Sequence, residues 1–391
     1  MYMDKHGVSR GILFTVTAVF WFAQYAYTPF INPELLAMGV SASVMGFAGG
    51  AYGFMQFVLR IPVGIGADRW QKKFFICAGG LFAGLAALCM LVFYSPAGFI
   101  AGRILGGIAS SAWVPYTVLY ASYYKPEHAA RAITMLNLAG RSGRIMSSLV
   151  AGAVAASFGP RSAFVLSAAG GFLALGISLF VREDKIPAAR APLGFRELIS
   201  VARERNLLIT TMLATLTQVV AFATYNTFAA NHAVHIGATP AQLGYMNVAL
   251  LAPSLVLNYC LSKYLLPRID AKWLVAAGFF FTAVYCVVLP FTVTIPQLYI
   301  MQALAGIGST LTLSLLMGLC VGNIAVEKRG AAMGFFQSVF GIGMMAGPLA
   351  MGILTDHASL RAGFFFMAAV ACASMLSSMA LLRRSKEPEN N

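Results

Sequence analysis

The chain has 391 residues, of which 59% are hydrophobic and only 10% charged, and it carries a net charge of +14. A soluble domain carries roughly 25% charged residues, so this composition, with a mean hydropathy of +0.77, excludes a soluble globular protein. Apolar runs of about 20 residues recur from end to end, each long enough to cross a ~30 Å hydrocarbon core as a helix. Lipid leaves no partner for open backbone, and the alternating pattern of a membrane barrel is absent.

The expected fold is therefore an all-α membrane protein with twelve transmembrane helices. In chain order the predicted spans are 11–31, 41–62, 74–94, 97–122, 132–157, 161–181, 207–231, 240–262, 273–293, 296–322, 330–354 and 360–382. The first apolar run follows a basic flank, MYMDKHGVSR. It is too long for a signal-peptide core and lacks a small-residue cleavage site, so it reads as a retained span.

Basic residues fall at the N-terminus (Lys5, Arg10) and in alternate connections, among them Arg69, Lys72, Lys73, Lys125, Arg131, Arg203, Arg205, Lys263, Arg268, Lys272, Lys328 and Arg329. The opposite connections hold little beyond Arg161 and Arg361. That asymmetry is the positive-inside pattern of a multi-pass protein in a cytoplasmic (inner) membrane, with both termini cytoplasmic. The positive charge then sets topology, and no nucleic-acid partner is expected. The six cysteines all fall in predicted spans without metal-ligand spacing, so they read as small apolar fillers, and neither metal nor cofactor is expected. His232 and His235 are expected to be solvated loop residues.

Shifted by 200 residues, the chain matches itself. Phe22-Ala23 and Tyr25 meet Phe222-Ala223 and Tyr225, Pro96 meets Pro296, Gly106 meets Gly306, Gly143 meets Gly343, and Arg161 meets Arg361. Six spans return the chain to its starting side, so the halves run in the same direction. They are expected to be related by a pseudo-two-fold axis normal to the membrane, with residues 1–181 and 207–391 joined by a cytoplasmic linker at 182–206. A solute site between two such halves at mid-depth is a transporter architecture.

The fifth span contains NLAGRSGRIMSS, residues 137–148. At 1.5 Å per residue Arg141 and Arg144 lie about 15 and 18 Å into it, close to the bilayer midplane. Asn137, Arg141, Arg144 and Ser148 share one helical face, which should turn toward protein or water. Each central arginine costs about 2.5–3.5 kcal/mol on insertion scales. The thirteen acidic residues lie in connections, tails or span ends, with Glu34 and Asp68 the nearest, so no permanent counter-charge is available. Guanidinium groups bind carboxylate and phosphate bidentately, which points to an anionic solute. The structural alternative has these arginines donating to helix carbonyls and to Tyr, Asn or Ser oxygens, bracing the first half.

Two motifs carry a family resemblance. GIGADRWQKK, Gly64 to Lys73, resembles the signature loop of the major facilitator superfamily, with Gln71 where the family pattern has Gly. FIAGRILGGIASS, with Arg103 and Gly107, resembles a second motif of that family. The resemblance implies a gating latch at Gly64, Asp68 and Arg69, with the Asp68 carboxylate accepting from a neighbouring helix start. It allows Arg103 either to bind solute or to brace and couple helices. The Gly-Pro hinge of proton-driven exporters is missing from span 5, which has Ser147-Ser148, and sits instead in span 11 as Gly347-Pro348.

In this superfamily spans 1, 4, 7 and 10 line the cavity and span 5 borders it. The resemblance thus nominates Gln24, Tyr25, Tyr27, Trp113, Tyr116, Tyr225, Asn226, Asn231, Gln302, Ser309 and Thr310 as lining, beside Arg103, Asn137, Arg141 and Arg144. The expected function is secondary transport of a small organic, anionic or amphipathic solute by alternating access. A proton-driven multidrug or metabolite exporter is the alternative. The expected partners are a small-molecule solute, the lipid bilayer and a coupling ion, either a proton or a counter-anion, with the protein acting as a monomer. A membrane enzyme would need a carboxylate pair, metal ligands or a nucleophile-base set, and none is present. A flippase-like role for a lipid with an anionic headgroup stays open.

Overall fold

A computed structural model describes residues 7–125, 128–183, 203–322, 324 and 328–382. The side chains of Asp68, Ala129, Ala130 and Ser262 lie outside the described set, as does most of the linker expected at 182–206. Among the described residues the chain is all helix and connection, without a strand. Span 1 is Gly7–Ala26 continued by Thr28–Ala37, span 2 Ala42–Arg69, span 3 Lys72–Val92, span 4 Pro96–Ser111 with Trp113–Ser122, span 5 Ala129–Phe158 and span 6 Arg161–Ser178. Span 7 is Arg205–Ala223 continued through a π turn by Ala229–His235, span 8 Pro240–Cys260 and span 9 Ala271–Val288. Span 10 is Ile295–Ser309 with Leu315–Gly322, span 11 Arg329–His357 and span 12 Leu360–Leu381.

Ten of these, all but spans 1 and 5, are long and apolar enough to cross a membrane by composition. Span 5 is the helix that carries Arg131, Arg141 and Arg144. Connections are short and capped at the end of the bundle opposite the first helix start, called here the far end. Ser41 accepts from the Val44 amide and Ser359 from the Ala362 amide, while Thr239 and Gln242 form a reciprocal capping box. Each device satisfies orphan amides at a helix start.

Packing repeats with the sequence. Span 3 lies on span 6, span 1 on span 5 and span 2 on span 4; six spans later, 9 lies on 12, 7 on 11 and 8 on 10. The same device makes two of these crossings. A Cβ on Gly143 would meet the Ala18 carbonyl oxygen at 2.1 Å, and one on Gly343 would meet the Thr215 carbonyl oxygen at 2.2 Å. These helices approach backbone to backbone, as membrane helices do through small residues.

The two six-helix halves meet mainly along span 2 with span 11 and span 5 with span 8. At the far end they share one continuous apolar core, in which Tyr27, Phe30 and Phe164 of the first half join Phe228, Tyr285 and Phe364 of the second. At the near end the core divides. Leu13, Phe20, Tyr116 and Leu136 belong to one cluster. Leu213, Phe279, Leu316 and Phe336 belong to another, which recruits Tyr52 of span 2. The bundle is thus sealed at one end and parted at the other.

The crossing at Gly143 is testable. Gly143→Ala should lower the melting temperature of detergent-purified protein by the equivalent of about 1–3 kcal/mol of overpacking. Gly318→Ala, where an added Cβ meets nothing within 4 Å, should leave it unchanged or raise it through better helix propensity.

Candidate functional site

The spans expected to line the centre are the interrupted ones. Span 1 breaks at Tyr27, before Thr28-Pro29, and span 4 breaks at Ala112. Span 7 widens to a π turn over Thr224–Phe228 and span 10 over Thr310–Ser314. Non-helical or widened backbone inside a membrane is tolerated where it is buried in protein or lines a cavity, and π turns mark functional sites.

Arg144 answers the question raised by its sequence. Its guanidinium carbon lies 4.0 Å from the centre of the Trp21 ring and 4.2 Å from that of Tyr25. Trp21 and Tyr25 are one helical turn apart on span 1 with ring centres separated by 5.8 Å, so the cation sits in the notch between them. The π faces supply the negative partner that no carboxylate supplies. The aromatic wall continues from Trp21 to Trp113 at 5.5 Å and from Trp113 to Tyr116 at 6.4 Å. Arg144 Nε is buried without a hydrogen-bond partner. Among the described residues neither the Arg141 nor the Arg144 side chain donates a hydrogen bond or forms an ion pair, and Arg144 meets span 1 through its two rings.

Arg103 stands on the other side of Tyr25. It is 8% exposed, with its guanidinium carbon 4.2 Å from the Tyr52 ring centre. Gln24, Tyr25, Thr28, Tyr52, Arg103, Phe222 and Asn226 enclose a cavity of about 20 Å³, room for about one water molecule. A hydrogen-bonded frame holds it. The Gln24 amide donates to the Gly106 carbonyl at 3.0 Å and to Ser110 Oγ at 3.1 Å and accepts from the Tyr27 hydroxyl at 3.1 Å. The Tyr52 hydroxyl lies 2.8 Å from Ser110 Oγ. From the second half, Phe222 stacks on Tyr52 with 6.2 Å between ring centres, and Asn226 is held by its own π turn through the Ala221 carbonyl at 3.1 Å.

Gln24, Tyr25, Arg103, Asn226 and Arg144 therefore converge as the sequence suggested. Other nominees do not. Asn137 is exposed, and Tyr116 is wholly buried in the wall behind Trp113. Tyr225 packs on Tyr285 at 6.0 Å within the second half, and Gln302 is buried with its Oε1 unpartnered. His232, expected to be solvated, is 6% exposed and its ring nitrogen contacts the Thr292 carbonyl and hydroxyl at 3.1 and 3.0 Å; only His235 is exposed.

Four residues of the centre escaped the sequence reading: Trp21, Thr28, Tyr52 and Phe222. So did a fourth interior arginine, Arg60. It is 8% exposed, donates to the Gln337 carbonyl of span 11 at 2.8 Å and to Gln56 Oε1, and lies 5.1 Å from the Phe340 ring centre. The signal for Trp21 was available, since it precedes Tyr25 by one turn. Arg60 was hidden by its position near the predicted end of span 2.

Of the gating residues, Gly347 and Pro348 lie in the seams. A Cβ on Gly347 would meet the Val219 carbonyl oxygen at 2.1 Å, and Pro348 packs against Gly46 and Gly49 of span 2. At the far end of that seam the Asp356 carboxylate accepts from the Ala42 amide at 2.7 Å and the Ser43 amide at 2.8 Å, a cross-half cap on the first turn of span 2. Glu34 is also at the far end, where it accepts from the Tyr94 hydroxyl, while Arg161 covers the Tyr94 ring at 3.9 Å. Burial and the adjoining carboxylate push Tyr94 up to about 12, so it remains a neutral donor to Glu34. Gly64 and Arg69 end span 2 at the near end, and the Asp68 side chain lies outside the described residues. Among the described residues no three His, Cys, Asp or Glu side chains gather as a metal site.

The chain is 24% identical over 330 residues to an uncharacterized MFS-type transporter of Methanocaldococcus jannaschii, covering 82% of this chain and 84% of that one. It is 22% identical over 329 residues to the multidrug resistance protein MdtG of Escherichia coli, covering 83% and 80%. Its fold is similar to that of a bacterial homolog of the human lysosomal transporter Spinster in an inward-facing, unoccupied conformation, with a TM-score of 0.81 and 15% identity over 99% of this chain and 100% of that one. The family model described as Major Facilitator Superfamily matches residues 13–232 and 207–391. The chain belongs to the Major Facilitator Superfamily and is a transporter of that family.

Proposed function

We propose that the chain is a secondary transporter that moves a small organic anion across the cytoplasmic membrane by alternating access between its two halves. One observation carries this reading. The Arg141 and Arg144 side chains donate no hydrogen bond to any described atom, and Arg144 Nε is buried without a partner. A buried, unsatisfied charged donor is costly, and a carboxylate or phosphate of the solute relieves that cost bidentately. The aromatic wall of Trp21, Tyr25 and Trp113 suits a solute with an apolar part.

The basic residues at the near end, Lys72, Lys73, Arg203, Lys272 and Arg329 among them, favour a cytoplasmic near end under the positive-inside rule. On that orientation the described state is closed to the outside and parted toward the cytoplasm. Transport then requires the far-end seam to open, which means losing the shared core, the contact of Gly46 with Pro348 and the Asp356 cap.

A second reading is a proton-driven exporter of drugs or metabolites. It is favoured by the relation to MdtG and by GIGADRWQKK. Against it stand the displaced Gly-Pro hinge and the lack of a described carboxylate beside the central arginines. Uptake or exchange fits this centre better, with an anion or the protonated solute as the coupled species.

Arg144→Gln should reduce anion-dependent thermal stabilisation and anion uptake into proteoliposomes by about ten- to a hundredfold, the loss of a charged hydrogen-bonded contact. Its own melting temperature should stay within a few degrees of wild type. Failure of the variant to insert or fold would instead favour the bracing role. Asp356→Asn should weaken the far-end cap by about 1 kcal/mol and so shift the conformational balance roughly fivefold. Maleimide labelling of Met45→Cys, a position 2% exposed in the closed seam, should rise accordingly in a cysteine-free background. Unchanged labelling would remove Asp356 from the closure.

A further inference from the structure

We infer that the solute carries two acidic groups, one taken by Arg141 and Arg144 and the other by Arg103 in the small cavity between the halves. This rests on the anionic reading above and narrows it to a dianion. Charge gives the first reason. Arg103, Arg141 and Arg144 bring three positive charges to the centre, and none pairs with a described carboxylate. A monoanion leaves a net charge of two among groups held in a medium where charge is poorly screened, whereas a dianion leaves one.

Geometry gives the second reason. Tyr25 touches both ends of the centre. Its ring carries Arg144 at 4.2 Å, and its side chain lines the cavity with Arg103. At about 20 Å³ that cavity admits a single oxygen of a terminal acidic group and not a whole organic solute. Arg103 is the charged donor among its walls, with its guanidinium against the Tyr52 face; the Thr28 hydroxyl donates to the Gln24 carbonyl and the Asn226 amide to the Ala221 carbonyl. The cavity also joins the halves, since Phe222 and Asn226 belong to the second and the other lining residues to the first. An acidic group bound there would touch both, so the second charge of the solute is the one that reports occupancy across the interface.

The test uses detergent-purified full-length protein and a ladder of straight-chain carboxylates at neutral pH. Succinate, adipate and suberate are compared with butyrate, hexanoate and octanoate by thermal shift and by uptake into proteoliposomes. At one or more chain lengths the dicarboxylate should half-saturate the shift at roughly tenfold lower concentration than its monocarboxylate partner, the worth of one further charged contact. Arg103→Gln should erase that preference, so that dicarboxylate and monocarboxylate half-saturate the variant at the same concentration. Asn226→Asp, which places a fixed carboxylate in the cavity at nearly unchanged size, should do the same without removing any arginine, and it decides the matter if Arg103→Gln fails to fold. Arg144→Gln should weaken both series.

Equal potency of the two series at every length would overturn the dianion, as would a preference that survives Asn226→Asp. In both cases the anionic reading stands. If no carboxylate of either kind shifts the wild-type protein, the anionic reading falls and the dianion falls with it.

Discussion

A guanidinium ion inside a helix bundle must find negative partners, and in this protein they are chiefly the faces of aromatic rings. Arg144 rests in the notch of Trp21 and Tyr25, Arg103 on Tyr52 and Arg60 near Phe340. Central arginines cost about 2.5–3.5 kcal/mol each on insertion scales, while a desolvated cation–π contact returns about 2. Arg144, with two rings, is close to balance, whereas Arg103 has one. A carboxylate partner would neutralise the charge and also occupy the N–H donors. A ring offsets the charge and leaves those donors open. The aromatic positions on spans 1 and 2 are thus what allow unpaired arginines to exist at mid-depth.

The same positions tie the centre to the interface between the halves. Tyr52 carries Arg103 on one side and stacks with Phe222 of span 7 on the other. Arg60, two turns along span 2, bonds to a carbonyl of span 11. Span 2 is therefore both a wall of the site and the main seam with the second half. It follows span 11 closely because Gly46 lets the backbone approach Pro348, where a Cβ would lie 2.2 Å from the proline carbonyl oxygen. A site built from span 2 feels any rocking of that seam, which is the coupling that alternating access needs.

Much of the fold was legible in the sequence because lipid restricts the choices. Span 2 was predicted to end at 62 and runs to Arg69, and span 1 was predicted to end at 31 and continues, after a break at Tyr27, to Ala37. These ends are polar or Pro-containing and so escape a search for apolar runs. The 200-residue repeat matched Gly143 with Gly343, and both stand at close helix crossings. The site was harder to read. Arg144 and Tyr25 were visible as an unpaired charge and a repeated aromatic, but Tyr52 stands in a Gly-rich stretch like any packing residue. Only the crossing of spans 2 and 4 makes it a partner of Arg103. The repeat matched Tyr25 to Tyr225 but gave no sign of the π turn over Thr224–Phe228. Within that turn Tyr225 packs on Tyr285, while Asn226 lines the cavity.

Compensation by rings also bears on release. A carrier must bind its solute firmly enough to load and weakly enough to unload, and a site with fully uncompensated arginines would hold an anion too well. With Trp21 and Tyr25 already offsetting the charge of Arg144, an anion of the proposed kind would add mainly hydrogen bonds to donors left open, worth about 1.5–3 kcal/mol for a charged contact. That corresponds to a gain of about ten- to a hundredfold in affinity, which suits repeated cycles better than tight capture. The aromatic notch accordingly sets the strength of the site as well as its stability, and its two rings lie on span 1, a helix that packs on span 5 within the first half. The open donors of Arg144 therefore pack with the notch inside the first half, while Phe222 and Asn226 reach the cavity from the second.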